Sequence, residues 1–221
     1  MAIFGQIQTF AIILTAIQYD YFSLQKSHYF MGGDSFMANS EQTKFDGLND
    51  KHTSFIEKQK LFFVGTAAKE GRVNIALKGS DTLRVLGANR IVWLDLTGAE
   101  NETAAHLLEI PRMTLMWCSF DSKPMILRAY GDAVSVHPRD EAWGELSALF
   151  AHIPGTRQVY DLNVDFVLKS CGFGVPLFGY LGERETLRKW AERKGEDGLT
   201  EAWEKNNQFS LDGKPTDLLH D

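Results

Sequence analysis

From Lys60 onward the chain is a succession of short apolar segments separated by turns. "KLFFVGTA" precedes a turn at Gly71, and "RVNIALK" alternates apolar and polar residues with a period of two. "DTLRVLG" and "RIVWLDL" flank a turn at "GAN", and "RMTLMWCSF" and "MILRAYGDAVSVH" are joined by "DSKP". This pattern predicts five or six short strands with few helices between them, which favours an antiparallel barrel or sandwich over a parallel sheet.

Three segments have the spacing of helices. "NETAAHLLE" predicts a short helix with Asn101 as its N-cap and Pro111 beyond its end. "PRDEAWGELSALF" begins with a proline and acidic residues, and its apolar residues recur at helical intervals. "ERETLRKWAERKGEDGLTEAWEKNN" predicts a charged helical pair broken near Gly195, with Trp190 and Trp203 docked on the sheet. Between the last two, "DFVLKSCGFGVPLFGYL" is typical of extended structure, with "SCGFGVP" as a sharp bend.

Two interpretations are open for "TGAENET", which lies between a buried strand and the first helix. It is either a loop that ends in an N-cap, or an anion site built from hydroxyls and the backbone N–H groups of a helix start. Sequence pattern alone does not choose between them.

Composition limits the class of protein. The 221 residues are enough for one large domain, and 44% hydrophobic with 24% charged residues is typical of a globular chain. A net charge of -6 argues against a nucleic-acid surface. Cys118 and Cys171 have neither metal-type nor disulfide-type spacing, which predicts a reducing, cytoplasmic setting.

The first 36 residues differ from the rest, because "MAIFGQIQTFAIILTAIQY" carries no charge before Asp20. The segment lacks the positive start of a secretory signal and is marginal as a membrane span. We expect no membrane role, and we interpret residues 1–36 as an extension or a start-site artefact before a domain of residues 37–221 that starts at Met37.

Several chemistries find no support in the sequence. His106, His137 and His152 are scattered, no G-x-S-x-G elbow is present, and no metal-ligand spacing occurs. Cys118 lies within a strand and is interpreted as a buried structural thiol. "SCGFGVP" is neither a dinucleotide fingerprint nor a P-loop.

Cations at strands are the remaining candidates. Lys78 ends a strand, Arg84 follows shortly, and Arg128 stands in the middle of "ILRAYG". A mid-strand arginine needs a partner, which is either an internal carboxylate such as Asp95 or Glu102 or a bound anion.

The order of "GRVNIALKG", "DLTGAENETAAHL", "ILRAYGDAVSV" and "SCGFGVPLF" resembles the pyridoxamine 5'-phosphate oxidase-like family over about residues 55–218. The resemblance implies a mainly β fold with peripheral helices, a six-stranded antiparallel split barrel. It also implies a homodimer with FMN at its interface, acting on a small-molecule substrate or electron donor.

The same resemblance implies a cofactor site. Lys78 matches a lysine close to the flavin, and Thr97 matches a threonine after the third main strand. Asn101, Glu102 and Thr103 stand where the oxidases have the Ser-Arg-Lys that grips the FMN phosphate. Cofactor-binding residues are therefore predicted to be Lys78, Arg84, Thr97, Asn101, Thr103 and Arg128, with no catalytic residue assigned.

The C-terminal region departs from the oxidases. "RETLRKWAERKGEDGL" and "SLDGKPTDL" do not match the arginine-rich segment that holds pyridoxal phosphate there. The resemblance therefore implies an FMN-dependent oxidoreductase of a divergent branch with another substrate. The alternatives are a deazaflavin-binding barrel and a non-catalytic flavin or haem binder.

Overall fold

The computed structural model describes residues 43–219, so the predicted extension of residues 1–36 lies outside the described part. The strands are β1 Thr43–Phe45, β2 Leu61–Thr66, β3 Asn74–Gly79, β4 Leu83–Gly87, β5 Arg90–Leu96, β6 Arg112–Cys118, β7 Ile126–Val136 and β8 Thr156–Ser170. The helices are α1 Asp50–Ile56, α2 Glu102–Glu109, α3 Trp143–Ser147 and α4 Thr186–Asn206. Within the described residues the protein is mainly β, as the sequence predicts.

The strands form one curled antiparallel sheet, a half-barrel. Its order is β3-β2-β6-β7-β8-β5-β4, and β1 adds to β8. Among residues 43–219 the sheet path therefore has seven strands, and eight with β1, whereas the pattern predicted five or six and the family resemblance implied six. Every one of these pairings is antiparallel. Four of them join strands that are consecutive in the chain, whereas β2–β6 and β5–β8 join strands that are distant in the sequence.

The elements confirm most of the predicted pattern and correct part of it. The predicted extended structure resumes at Asp165, but β8 already begins at Thr156. The predicted helix "PRDEAWGELSALF" is reduced to the five residues of α3. The sequence missed α1, which begins where Asn49 Oδ1 accepts hydrogen bonds from the backbone N–H groups of Lys51 and His52.

Two glycines account for predicted breaks. Gly195 interrupts α4 with a left-handed φ of 64°, so the helical pair with a break is confirmed. The bend at "SCGFGVP" is also confirmed, because Gly172 has a φ of 69° and passes close to Met125. A Cβ at Gly172 would lie 2.7 Å from the backbone nitrogen of Met125.

The main core lies on the concave side of the sheet. Trp93, Leu115, Trp117 and Leu162 are nearly or fully buried there, where large side chains fill the half-barrel. A smaller cluster on the other side of β5 and β8 is covered by α3 and includes Phe150. Among residues 43–219, no helix combines the length and apolar character needed to cross a bilayer.

Candidate functional site

A small polar pocket lies where α2 begins. Its walls come from the start and end of β3, from Asp95 on β5, from the loop before α2 and from β8, and its volume is about 170 Å³. β3 and β5 lie near opposite ends of the sheet order, and the curl of the sheet brings side chains of β3 to the loop that follows β5. The residues that line the pocket are Asn74, Ala76, Lys78, Asp95, Gly98, Ala99, Glu100, Asn101, Glu102, Thr103, Arg157 and Tyr160.

Asp95 forms the centre of this pocket and is 1% exposed. Its Oδ1 accepts a hydrogen bond from Lys78 Nζ at 2.8 Å, and its Oδ2 accepts from Arg157 Nη2 at 2.7 Å. Burial alone would raise the pKa of Asp95, but the positive charges of Arg157 and Lys78 lower it to about 2. Asp95 is therefore ionised at neutral pH and holds both cations.

Polar side chains from β8 and the helix start extend this cluster. Gln158 Nε2 donates to Asp95 Oδ2 at 3.0 Å and to Asn101 Oδ1 at 2.7 Å. Tyr160 stacks on Trp93 with ring centroids 4.4 Å apart, and burial followed by the charge of Asp95 raises the pKa of its hydroxyl well above its ordinary value. Tyr160 therefore stays protonated as a hydrogen-bond donor at neutral pH.

Asn101 lies at the N-cap position of α2 but makes no side-chain cap hydrogen bond, so that part of the N-cap prediction is wrong. Its carboxamide oxygen is engaged by Gln158 instead. Its Nδ2 is buried and has no hydrogen-bond partner among the described residues. A buried donor without a partner is costly, and here it belongs to a residue that lines the pocket at a helix start.

The C-terminal segment, residues 207–216, packs against the same helix start. Asn207 Nδ2 donates to the carbonyl oxygens of Gly98 and Ala99 at 3.4 and 3.3 Å. The backbone N–H of Leu211 donates to the Glu102 carboxylate. Glu102 is therefore held by the C-terminal segment, and it neutralises no arginine among the described residues.

Three of the six predicted site residues meet at the pocket. Lys78, Asn101 and Thr103 all line it, although their side chains have protein partners. Thr103 Oγ1 accepts a hydrogen bond from Asn74 Nδ2 at 3.1 Å. Because β3 and the α2 start are adjacent in space, the two separate sequence signals describe one place.

Thr97 and Arg84 lie elsewhere. Thr97 Oγ1 donates to the carbonyl oxygen of Gly155 at 2.8 Å and accepts from Trp203 Nε1 at 2.9 Å. Its hydroxyl docks α4 on the sheet, which confirms the predicted role of Trp203. Arg84 pairs with Asp81 at 2.8 Å and lines a different cavity.

Arg128 also lies away from the pocket. Its Nη1 donates to Ser170 Oγ at 3.2 Å, so neither Asp95 nor Glu102 is its partner. Of the two alternatives for Arg128, pairing with an internal carboxylate is absent, because Arg128 points from the convex side of β7, whereas Asp95 faces the interior cluster. Lys78 and Arg157 form salt bridges with the Asp95 carboxylate instead.

Arg157 and Gln158 belong to the site but were not predicted from the sequence. Both are buried at the start of β8, at 2% and 0% exposure. The one signal available was "TRQVY", where an arginine and a glutamine stand directly before strand-forming residues. A buried arginine requires a carboxylate nearby, which points to Asp95 on the paired strand.

The convex side of β3, β2, β6, β7 and β8 presents an apolar surface. Cross-strand pairing places Ile75, Gly65, Thr114, Tyr130 and Phe166 in one row across it. A second row consists of Leu77, Phe63, Met116, Arg128 and Leu168. We name these two rows the outer sheet face.

The outer sheet face is most exposed at its edge strand, β3. Ile75 is 73% and Leu77 is 60% exposed, and Val73, directly before the strand, is 71% exposed. Contiguous exposed apolar surface of this kind marks an interaction site in soluble proteins.

The chain is similar to known proteins over much of its length. A family model described as pyridoxamine 5'-phosphate oxidase matches residues 48–170. The pyridoxamine 5'-phosphate oxidase family protein ustO of Aspergillus flavus is 34% identical over 191 residues, which cover 77% of this chain and 76% of that protein.

Two solved structures are also similar. HupZ of Group A Streptococcus has a TM-score of 0.45 at 13% identity, and the match covers 54% of this chain and 91% of HupZ. A Clostridium acetobutylicum protein related to general stress protein 26, of the pyridoxinephosphate oxidase family, has a TM-score of 0.43 at 18% identity. That match covers 53% of this chain and 83% of the other.

Proposed function

The chain belongs to the pyridoxamine 5'-phosphate oxidase family, and on this basis we propose that it is an FMN-binding oxidoreductase that acts as a homodimer. The observation that carries the proposal is the buried, unpartnered Nδ2 of Asn101 in a polar pocket at a helix start. Such a donor is satisfied when a ligand oxygen enters the pocket. The ribityl chain and phosphate of FMN supply oxygens of this kind.

The residues of the pocket fit the polar end of a flavin by hydrogen bonding. Asn101 Nδ2 and the backbone N–H groups at the start of α2 would donate to it, and Lys78 borders the same space. The fit differs from the family oxidases in charge, because Glu102 and Thr103 stand where those have arginine and lysine. When bound, FMN supplies the hydride or electron transfer, and the protein binds and orients it.

The substrate is proposed to differ from pyridoxamine phosphate. In this chain the C-terminal segment carries Asp212 and Lys214, which pair with Arg72 and Glu109 rather than facing the pocket as free charges. Lys214 is thus engaged by a carboxylate, and the segment offers no arginine for a second phosphate. A small-molecule substrate or electron donor without that group fits this arrangement better.

The cofactor is tested by a visible absorption spectrum of the purified full-length protein, followed by heat release and identification of any flavin. We expect a two-band yellow spectrum and released FMN, or saturable binding of added FMN by a colourless preparation. A protein that stays colourless and binds no added FMN would contradict the proposal. Competition with a deazaflavin and with haem separates the alternative cofactors, and reduction of bound FMN by a nicotinamide cofactor or another donor tests the oxidoreductase role.

The homodimer is supported by the outer sheet face. A second copy can bury the same face by twofold symmetry, since an isologous interface needs only one self-complementary surface. Arg128 lies on this face beside Met116 and would then approach the partner rather than the pocket of its own chain. A cytoplasmic location remains a prediction that rests on the two free thiols, Cys118 and Cys171.

Replacing Ile75 with glutamate is expected to convert the dimer into a monomer. The charge would have to be buried against a second copy, which is costly, whereas the exposed position in one chain tolerates it. Light scattering coupled to gel filtration should report twice 24.9 kDa for the wild type and 24.9 kDa for the variant. Leu108→Glu, at a 54% exposed position on α2, is the control and should remain dimeric. A dimeric Ile75→Glu protein would place the interface elsewhere.

A further inference from the structure

We infer that Asp95 determines the charge preference of the pocket: it neutralises Lys78 and Arg157 from within, so that FMN and riboflavin bind with nearly equal affinity. This inference rests on the proposed flavin site and specifies whether the site recognises the ribityl hydroxyls or the terminal phosphate. A phosphate-selective site needs cations that are free to meet the phosphate. Both cations of this pocket are already paired with Asp95.

Both cations have protein partners among the described residues, and the ammonium group of Lys78 uses one of its three N–H groups in this way. Lys78 Nζ donates to Asp95 Oδ1 at 2.8 Å and lies 5.0 Å above the Trp93 ring. Arg157 uses Nε and Nη2 on Asp95 Oδ2, at 3.1 and 2.7 Å, and Nη1 on the carbonyl oxygen of Glu100 at 3.1 Å. An incoming phosphate would have to compete with a carboxylate that is already in place and excluded from water.

The remaining charges in the pocket do not favour a dianion. The residues that line it include two that carry a cation, Lys78 and Arg157, and three that carry a carboxylate, Asp95, Glu100 and Glu102. A phosphate therefore meets no net positive charge, and repulsion from the carboxylates offsets its attraction to the cations. This distinguishes the site from one in which a Ser-Arg-Lys sequence faces the cofactor.

Apart from the remaining N–H groups of Lys78, whose charge Asp95 offsets, the donors that are available are uncharged. Asn101 Nδ2 and the first backbone N–H groups of α2 can donate to a hydroxyl oxygen as well as to a phosphate oxygen. Riboflavin presents ribityl hydroxyls to such donors. FMN adds a phosphate, but the charge of that phosphate adds little to the binding free energy in this pocket. The pocket therefore recognises the hydroxyl groups of the ribityl chain more than the charge of the phosphate at its end.

The test compares FMN with riboflavin on the full-length protein freed of copurified flavin. Fluorescence titration of each flavin at low ionic strength should give dissociation constants within about threefold of each other, because the phosphate gains less than about 1 kcal/mol. Raising the salt concentration should change that ratio little, since no exposed charge pair is formed. FMN binding more than about thirtyfold tighter than riboflavin would overturn the inference and leave the proposed flavin site standing. Failure of both flavins to bind would overturn both.

The second part of the test uses the variant Asp95→Asn. It removes the internal negative charge and frees Lys78 and Arg157 for the phosphate, so we expect FMN affinity to rise at least about tenfold relative to riboflavin. Asp161→Asn is the matched control, because Asp161 pairs with Arg90 on the same two strands but at an exposed position, and it should leave the ratio unchanged. An unchanged ratio in folded Asp95→Asn protein would contradict the role of Asp95. If that variant does not fold, the wild-type ratio still decides.

Discussion

Replacing Gly131 with alanine is expected to lower the free energy of unfolding by about 3 kcal/mol or more. Gly131 lies in β7 at the point where its register with β8 shifts. A Cβ there would overlap the carbonyl oxygen of Asn163 and come within 3.0 Å of the Cα of Val164. Both are backbone atoms of the paired strand, so neither can rotate away, and the β7–β8 pairing would have to open.

Urea unfolding followed by tryptophan fluorescence measures this change. Gly144→Ala is the matched control, because Gly144 lies within the short helix α3 and a Cβ there meets nothing within 4 Å. The control should be neutral or slightly stabilising, since alanine is the better helix former. Equal stability of the two variants would show that β7 and β8 separate at little cost, contrary to their close backbone approach.

The strands that could be predicted are those with one buried and one exposed side. In β3, Ile75 and Leu77 are exposed while Asn74, Ala76 and Lys78 face inward, so period-two alternation is present in the sequence. The alternation predicted the strand correctly, although the apolar side chains of β3 face outward and the more polar ones face inward. Periodicity reports that two sides differ, and only the neighbouring elements decide which side is covered.

The start of β8 could not be predicted by the same reasoning. Arg157, Gln158, Val159 and Tyr160 are four consecutive buried residues, because this stretch is covered on both sides. Alternation is therefore absent, and an arginine next to a glutamine has the composition of a loop. Their burial depends on Asp95, which comes from another strand 62 residues earlier in the chain. The local sequence around Arg157 therefore does not show that it pairs with Asp95.

The site prediction was limited for a related reason. Lys78, Arg84 and Arg128 are all strand-borne cations, and nothing local separates one that reaches a buried carboxylate from one that does not. In the structure Lys78 meets Asp95, Arg84 meets the exposed Asp81, and Arg128 meets Ser170. The helix start was easier to identify, because a polar loop before an apolar helix is a local signal.

Two arginine–aspartate pairs join β5 to β8, and their comparison leads to the second large effect. Arg90 pairs with Asp161 at an exposed position, with 46% and 21% of the side chains accessible. Arg157 pairs with Asp95 where the two side chains are only 2% and 1% accessible. The chemistry of the pairs is the same and the strands are the same, so the difference between them is burial.

We expect Arg157→Met to lower the free energy of unfolding by about 3 to 5 kcal/mol, because it leaves the buried Asp95 carboxylate with Lys78 as its one remaining cation. Arg90→Met breaks the exposed pair and should cost less than about 1 kcal/mol. Methionine keeps most of the arginine volume, so neither variant tests cavity formation. Urea unfolding of both variants at pH 7 measures the difference directly. Similar costs for the two variants would mean that water reaches Asp95 in the folded protein.

The loss in free energy of unfolding caused by Arg157→Met depends on pH, because it depends on the charge of Asp95. Arg157 and Lys78 lower the pKa of Asp95 from 3.8 to about 2, which stabilises the folded state wherever the unfolded chain would be ionised. That stabilisation is complete above about pH 5 and is lost as the pH falls through 3.8 towards 2. Without Arg157 the pKa of Asp95 rises, because burial is then opposed by Lys78 alone. The stability difference between the wild type and Arg157→Met should therefore be largest at neutral pH and shrink by about 1 kcal/mol at pH 3. A difference that stays constant from pH 7 to pH 3 would show that Asp95 is not the group that Arg157 stabilises.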